Sequence, residues 1–355
     1  MSETTMTINP TFPLQTTATL STLPFGTLRA PLVAMAQEHE LPVIEDTDSA
    51  VTVEVPGFGH YHFTAQGDGL EIRVSAALPD RLHMLKDGFA EHLEELQPGL
   101  SQTLRWSDTA TVGALPPNVH VTTVQSITPV GRAFLRVRVK AADLSSFQED
   151  AIHFRLLLPA ADCADPEWPR VAENGATVWP LGDKSLHRPV YTTRHIDHAA
   201  GEMTFDIFLH DGGRATNWVL GAKPGDTLRI AGPGGGGIPQ TSQILIYADE
   251  TALPAAARIL ETLPRDSRGA AVLLAANGAD CGYPIAAPEG ISVTWLRHAD
   301  QQSLCDLALT ARAERPDHFL WFACEKSDVQ RLRAAVKQDK PAPGQSYIAA
   351  YWSQS

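Results

Sequence analysis

The sequence predicts a multidomain chain: a small α+β domain, then an antiparallel β-barrel, then an α/β domain on a parallel sheet. Three observations lead there. At 355 residues the chain is longer than one hydrophobic core usually serves. Between about 118 and 236, strand-like runs follow one another with a single short helical stretch among them, as in a closed antiparallel sheet. From about 241 onward, compact apolar runs alternate with helical ones, as in a parallel sheet covered by helices.

Residues 1–24 begin MSETTMTINPTFPLQTT, polar and Thr-rich. Without the basic start and apolar centre of a secretory signal, they read as a disordered leader. The first domain is expected over 25–106. LRAPLVAMAQEH (28–39) suits a helix, and AVTVEVPGFGHYHFTAQGDGLEIRVSA divides into three short strands at PGFG and QGDG. A second helix follows in DRLHMLKDGFAEHLEEL, with Leu82, Leu85, Phe89, Leu93 and Leu96 on one face. RWSDTATVGALPPN then reads as a linker.

The barrel is expected over 118–236, with strands in VHVTTVQSITPV, RAFLRVRVKA, AIHFRLLLPA, HRPVYTTRHID, GEMTFDIFLH and GDTLRIAGP. In RAFLRVRVKA charged and apolar side chains alternate, so one face is wet and the other buried. RATNWVLGA supplies the short helix. The last domain, 241–355, takes strands from QILIYAD, GAAVLLAAN, ISVTWLRH and HFLWFACE, and helices from ETALPAAARILETL and SDVQRLRAAVKQD. In such a sheet ligands sit at the C-terminal strand ends.

Composition excludes several function classes. The chain is 43% apolar and 19% charged, the balance of a soluble globular protein, and has no run of about 18 apolar residues to span a membrane. A net charge of −13 disfavours nucleic acid and anionic membranes as partners, since both demand a basic footprint. Cys163, Cys281, Cys305 and Cys324 lack CxxC spacing, so neither a zinc site nor a disulfide framework follows, and a cytoplasmic location is the default. His60, His62, His83 and His92 read as ordinary surface or core histidines, and no metal site is expected. Oligomeric state is left open.

RPVYTTR (188–194) is the stretch richest in chemistry. Two guanidiniums, a phenol and two hydroxyls in seven positions suit a strand that grips a flat anionic cofactor. They also suit a barrel strand with two surface arginines. Alternation sends Arg188, Val190, Thr192 and Arg194 one way, and Tyr191 and Thr193 the other, unless Pro189 bends the strand. In LHDGGRATNWV (209–219), Gly212 and Gly213 free the backbone before a helix start whose N–H groups can hold a pyrophosphate; an ordinary glycine turn fits too. AGPGGGG (231–237) reads mainly as a hinge, since it matches no dinucleotide fingerprint. YADETALPAAARIL (247–260) is a strand–turn–helix, yet Asp249 and Glu250 would repel phosphate. Thr251 and Ala252 could still pack against a nicotinamide.

In order along the chain, RPVYTTR, FLHDGGRATNWVLGAKPGDTLRIAGPGG, ADETALPAAARILETLP, FACE with VQRLR, and the terminal YW resemble the siderophore-interacting protein family. These are FAD-dependent ferric-siderophore reductases on the ferredoxin-reductase plan. The resemblance covers about 118–352, and the first block resembles a small DUF2218-like domain. It implies an FAD-binding barrel, an NAD(P)H-binding-like lobe, and a ferric siderophore or other ferric chelate as substrate. Arg188, Tyr191 and Thr192 would hold FAD, with Tyr191 and Thr192 at its reactive ring, and Arg194 is assigned beside them. His210, Gly212, Gly213, Ala215, Thr216 and Trp218 would wrap its pyrophosphate and adenine side. Asp249, Glu250, Thr251 and Ala252, with Ala323, Cys324 and Glu325, would face the nicotinamide. Tyr351 and Trp352 would stand near flavin and substrate.

Arg214, Ala248 and Cys324 depart from the family pattern, the first replacing a proline and the others glycines whose new β-carbons would narrow a nicotinamide's approach. Other readings are a flavin- or chelate-binding protein without turnover, and a general flavin reductase.

Overall fold

The computed structural model describes residues 11–21, 23–38, 41–108, 111–149, 151–338 and 345–354. Two compact units emerge: Met1–Val119 with Pro159–Leu186, and His120–Leu158 with His187–Ser355.

In the first unit, β1 (Leu14–Leu20) precedes α1 (Phe25–Glu38), β2 (Val43–Asp46), β3 (Ala50–Val55), β4 (Gly59–Gln66), β5 (Gly69–Ala76) and α2 (Pro79–Leu96). The strands form one antiparallel sheet in the order β1-β5-β4-β3-β2. The expected leader therefore ends early. LQTTATL pairs along all of β5, with Ala18 and Leu20 buried, while residues 1–10 lie outside the described residues. Helix α2 buries Leu85, Phe89 and Leu93 against the sheet as expected, but Leu96 is exposed.

The same helix buries a second, polar face. Lys86 Nζ donates to Asp108 Oδ2 at 2.8 Å, and Asp87 accepts the Thr177 amide and hydroxyl at 2.7 and 2.9 Å. Trp106, in the expected linker, bridges Ala18 and donates Nε1–H to the Asn174 carbonyl at 2.8 Å. Burying these charges is tolerable only because each meets a partner.

The second unit begins with β6 (Val119–Val130), β7 (Phe134–Ala141) and β8 (His153–Leu157). The chain then leaves for β9 (Arg170–Val171) and β10 (Thr177–Val178), a short hairpin within the first unit. Residues 159–186 thus part from the barrel to which the sequence assigned them, because Asn174 and Thr177 bond to Trp106 and Asp87. The barrel resumes with β11 (Val190–Asp197), β12 (Glu202–Phe208), helix α3 (Arg214–Gly221) and β13 (Thr227–Gly234), closing in the order β11-β12-β7-β6-β13-β8. Val137, Val139, Phe154, Phe205 and Ile207 fill it.

The α/β lobe holds β14 (Gln243–Ala248), α4 (Leu253–Thr262), β15 (Arg268–Ala275), β16 (Ile291–Arg297), α5 (Leu304–Glu314), β17 (Phe319–Glu325), α6 (Lys326–Gln338) and β18 (Ser346–Trp352). Its sheet is all parallel in the order β16-β15-β14-β17-β18. Strand order reverses between β14 and β17, so the crevice for a ligand opens at their C-terminal ends. Among the described residues no helix is long and apolar enough to cross a membrane, and no cluster could hold a metal ion.

Candidate cofactor site at the barrel rim

Strand β11 enters the barrel beside β8, with Val190 opposite Arg155, Tyr191 opposite Phe154 and Thr192 opposite His153. Just before it, His187 and Leu158 exchange backbone hydrogen bonds, and Arg155 Nη1 donates to the Arg188 carbonyl at 3.0 Å. This places Arg155, His187 and Arg188 at one rim. Burial and then the neighbouring Arg155 lower the Arg188 pKa; burial and then Arg214 lower that of His187. Cations crowd cations there.

Arg214 opens α3, whose N-cap is Gly213 with no side-chain cap on the helix amides. Gly212 adopts φ +75°, a left-handed turn that glycine takes without strain, and a β-carbon on Gly213 would strike the His210 ring at 2.5 Å. The His210 ring stacks near Phe208, and its amide donates to the Thr216 hydroxyl at 3.2 Å. Ala215 and Thr216 are buried, with Ala215 in the barrel core and Trp218 packed against it. Arg214 on an uncapped helix start, with His187 within its field and Arg155 and Arg188 next to His187 on the rim, suits a diphosphate, because backbone N–H groups and cations both favour an anion.

The alternation expected along RPVYTTR holds. Tyr191 packs on the barrel core with its ring 6.1 Å from Phe205, and Thr193 is buried beside Met203. Thr192 and Arg194 face the other way, and both are buried. The Thr192 hydroxyl meets His153 Nδ1 at 3.2 Å. Arg194 Nη2 donates to Glu261 Oε1 at 2.9 Å and Nε lies 3.8 Å from Asp206 Oδ2, while its Nε and Nη1 are buried without a hydrogen-bond partner among the described residues. Asp206 also takes a two-pronged bond from Arg136, at 2.7 and 2.8 Å, and the Tyr283 hydroxyl at 2.5 Å.

At the lobe's crevice the acids are likewise engaged. Asp249 caps the turn after β14, accepting the Thr251 amide and hydroxyl at 2.9 and 2.6 Å and the Trp352 indole N–H at 2.7 Å; burial first of all raises its pKa. Glu250 takes the Ala276 amide at 2.6 Å and faces His298 Nε2 at 3.1 Å. Glu325 accepts the Ser327 amide at 2.6 Å and its hydroxyl, which holds the carboxyl below its usual range. Ala252 is fully buried in the lobe core. Ala248 and Cys324 sit in packed layers of the sheet. Burial pushes the Cys324 thiol up, so it is no ready nucleophile.

Sequence reasoning missed Arg155, His187 and above all His153. Each lies on or beside β8, whose pairing with β11 is non-local; only that register reveals them. It also read the glycine run as a hinge. Instead, β-carbons on Gly235 and Gly236 would strike the His153 and Tyr347 rings at 2.7 and 2.5 Å, so these glycines let backbone approach the rings.

A closed barrel with an anion-ready rim, followed by a parallel lobe with its crevice at the strand-order reversal, defines a two-lobed flavoprotein oxidoreductase. Residues 120–237 match the siderophore-interacting FAD-binding domain, and residues 241–355 match the siderophore-interacting protein profile. The chain belongs to the siderophore-interacting protein family. It is 31% identical over 236 residues to the NADPH-dependent ferric-chelate reductase of Escherichia coli, covering 65% of this chain and 91% of that one. It is 27% identical over 241 residues to the ferric vibriobactin reductase of Vibrio cholerae, covering 63% and 86%. Among solved structures, a siderophore utilization protein from T. fusca superposes with a TM-score of 0.57 at 28% identity, covering 67% of this chain and 93% of that one. The siderophore-interacting protein SipS of Aeromonas hydrophila shares the fold at a TM-score of 0.55 and 24% identity, covering 67% and 92%.

Proposed function

We propose that this protein is an FAD-dependent ferric-siderophore reductase that takes its electrons from NADPH. The observation that carries the reading is the rim where Arg155 and Arg188 stand together beside His187, itself within the field of Arg214 at the uncapped start of α3, in a chain whose net charge is −13. Only a local anion site explains cations gathered against that field.

Bound FAD would supply hydride acceptance and one-electron transfer. The protein's own residues bind and orient. Arg155, Arg188 and Arg214 neutralise the diphosphate, with the first amides of α3 completing the cradle. Tyr191, half-buried beside Phe205, presents the edge of the barrel core to a flat ring. Trp352, pinned to Asp249, holds the end of β18 at the lobe's crevice. There the acids already serve the fold, so a pyridine nucleotide is held by Thr251 and backbone groups. The substrate iron leaves because the ferrous ion binds oxygen chelators more weakly than the ferric one. The first unit is a DUF2218-like domain on this reading, and the protein works in the cytoplasm.

The test is anaerobic mixing of the purified protein with NADPH, then with a ferric chelate and a ferrous-iron trap. Yellow protein should bleach with NADPH and recolour as trapped ferrous iron appears. Flavin that stays yellow would indicate a binder without turnover, and equal rates on free flavin a general flavin reductase.

A further inference from the structure

Three polar groups from distant parts of the chain meet beside the flavin strand. His153, the first residue of β8, is 4% exposed, and nothing expected of the site accounts for it. Its Nδ1 lies 3.2 Å from the Thr192 hydroxyl and its Nε2 lies 3.0 Å from the Tyr351 hydroxyl. Tyr347 and Tyr351 both pack on Trp321. Gly235 and Gly236 lie so close to the His153 and Tyr347 rings that any side chain there would displace them. The imidazole edge meets the Tyr351 ring at 89° with centroids 5.6 Å apart, so His153 is fixed by packing as well as by bonds.

We propose that His153 is the positioning residue of the flavin site, tying Thr192 on β11 to Tyr351 on β18 through the two nitrogens of one neutral imidazole. The inference rests on the flavin reading above. A neutral imidazole has one donor and one acceptor nitrogen. One ring nitrogen therefore donates and the other accepts, so a single neutral ring couples the Thr192 hydroxyl to the Tyr351 hydroxyl. Burial, followed by the charge of Arg258, lowers the His153 pKa to about 4, which keeps the ring neutral at pH 7. The last strand of the lobe is thereby tied to β11, the strand that follows Arg188.

The test uses the full chain, freed of flavin, in wild-type, H153L, H153N and Y351F forms. Nitrogen-15 NMR of the ligand-free wild type should show a neutral His153 ring at pH 7. Titration with FAD, followed by flavin fluorescence, should give weaker binding by about tenfold in H153L, which loses both bonds. Y351F, which removes one hydroxyl, should lose about threefold and shift the visible flavin bands. H153N, whose amide reaches the Nδ1 position, should regain part of the H153L loss. Wild-type affinity and spectrum in both H153L and Y351F would overturn the proposal, as would an imidazolium ring at pH 7. A wild type that refuses FAD while its His153 ring is neutral would sink the flavin reading and leave the network standing.

Discussion

Arg188 and Arg194 flank the same strand six residues apart, yet they live in opposite electrostatic settings. At one end Arg188 follows His187 and stands beside Arg155, and burial and then that neighbour lower its pKa. At the other, Arg194 is buried between Glu261 and Asp206, and its pKa is raised despite the burial. Residue type alone therefore says nothing about task. A guanidinium set between buried carboxylates serves the fold, and one beside a second cation at a barrel rim suits an anion from outside.

The contrast can be broken from the structural end first. Asp206 is 1% exposed and shared by Arg136, Arg194 and Tyr283. D206A leaves buried cations without their carboxylate and should destabilise the second unit by about 3–5 kcal/mol, read from urea unfolding. A loss under about 1 kcal/mol would mean that the network is incidental.

Acid comes next. His153 has a folded pKa of about 4 against an ordinary value of about 6.5, so the unfolded chain binds its proton first as pH falls. The stability this group contributes is complete above about pH 6.5 and is lost between there and about pH 4, by about 3 kcal/mol. His83, lowered chiefly by burial, adds a loss of the same sign in the first unit. Stability of the second unit measured across that window should therefore flatten in H153L and keep its slope in H83L. The smallest effect belongs to Glu325, which caps α6. E325A should lower stability only slightly and leave the KM for NADPH unchanged, because its carboxylate already serves Ser327 and Gln354.

Most of the architecture was legible because its signals are local. Alternation in FLRVRVKA and apolar runs such as QILIYA name their strands without help. What stayed hidden depends on partners far away in sequence. LQTTATL looks like a polar leader until β5 gives its backbone a ladder, and SYIAAYW becomes a strand only beside β17. α5 went unread because Cys305, Ala308 and Ala311 give its buried face little apolar contrast. The site divides the same way. Arg188, Tyr191, Thr192 and the Gly212–Gly213 turn stand in contiguous motifs, whereas His153 reaches Thr192 across 39 residues and Tyr351 across 198. The ion pair of Arg194 stayed hidden because a sequence does not show that Glu261 waits on α4.

Titrating flavin-free wild type, R188A and R194A with FAD, while recording their melting temperatures, tests the division of labour most directly. The account predicts about one FAD per chain in the wild type. It predicts binding about thirtyfold weaker in R188A at an unchanged melting temperature. R194A should bind FAD like the wild type and melt several degrees lower. R188A that binds as well as the wild type, or R194A that loses the flavin without losing stability, would contradict it.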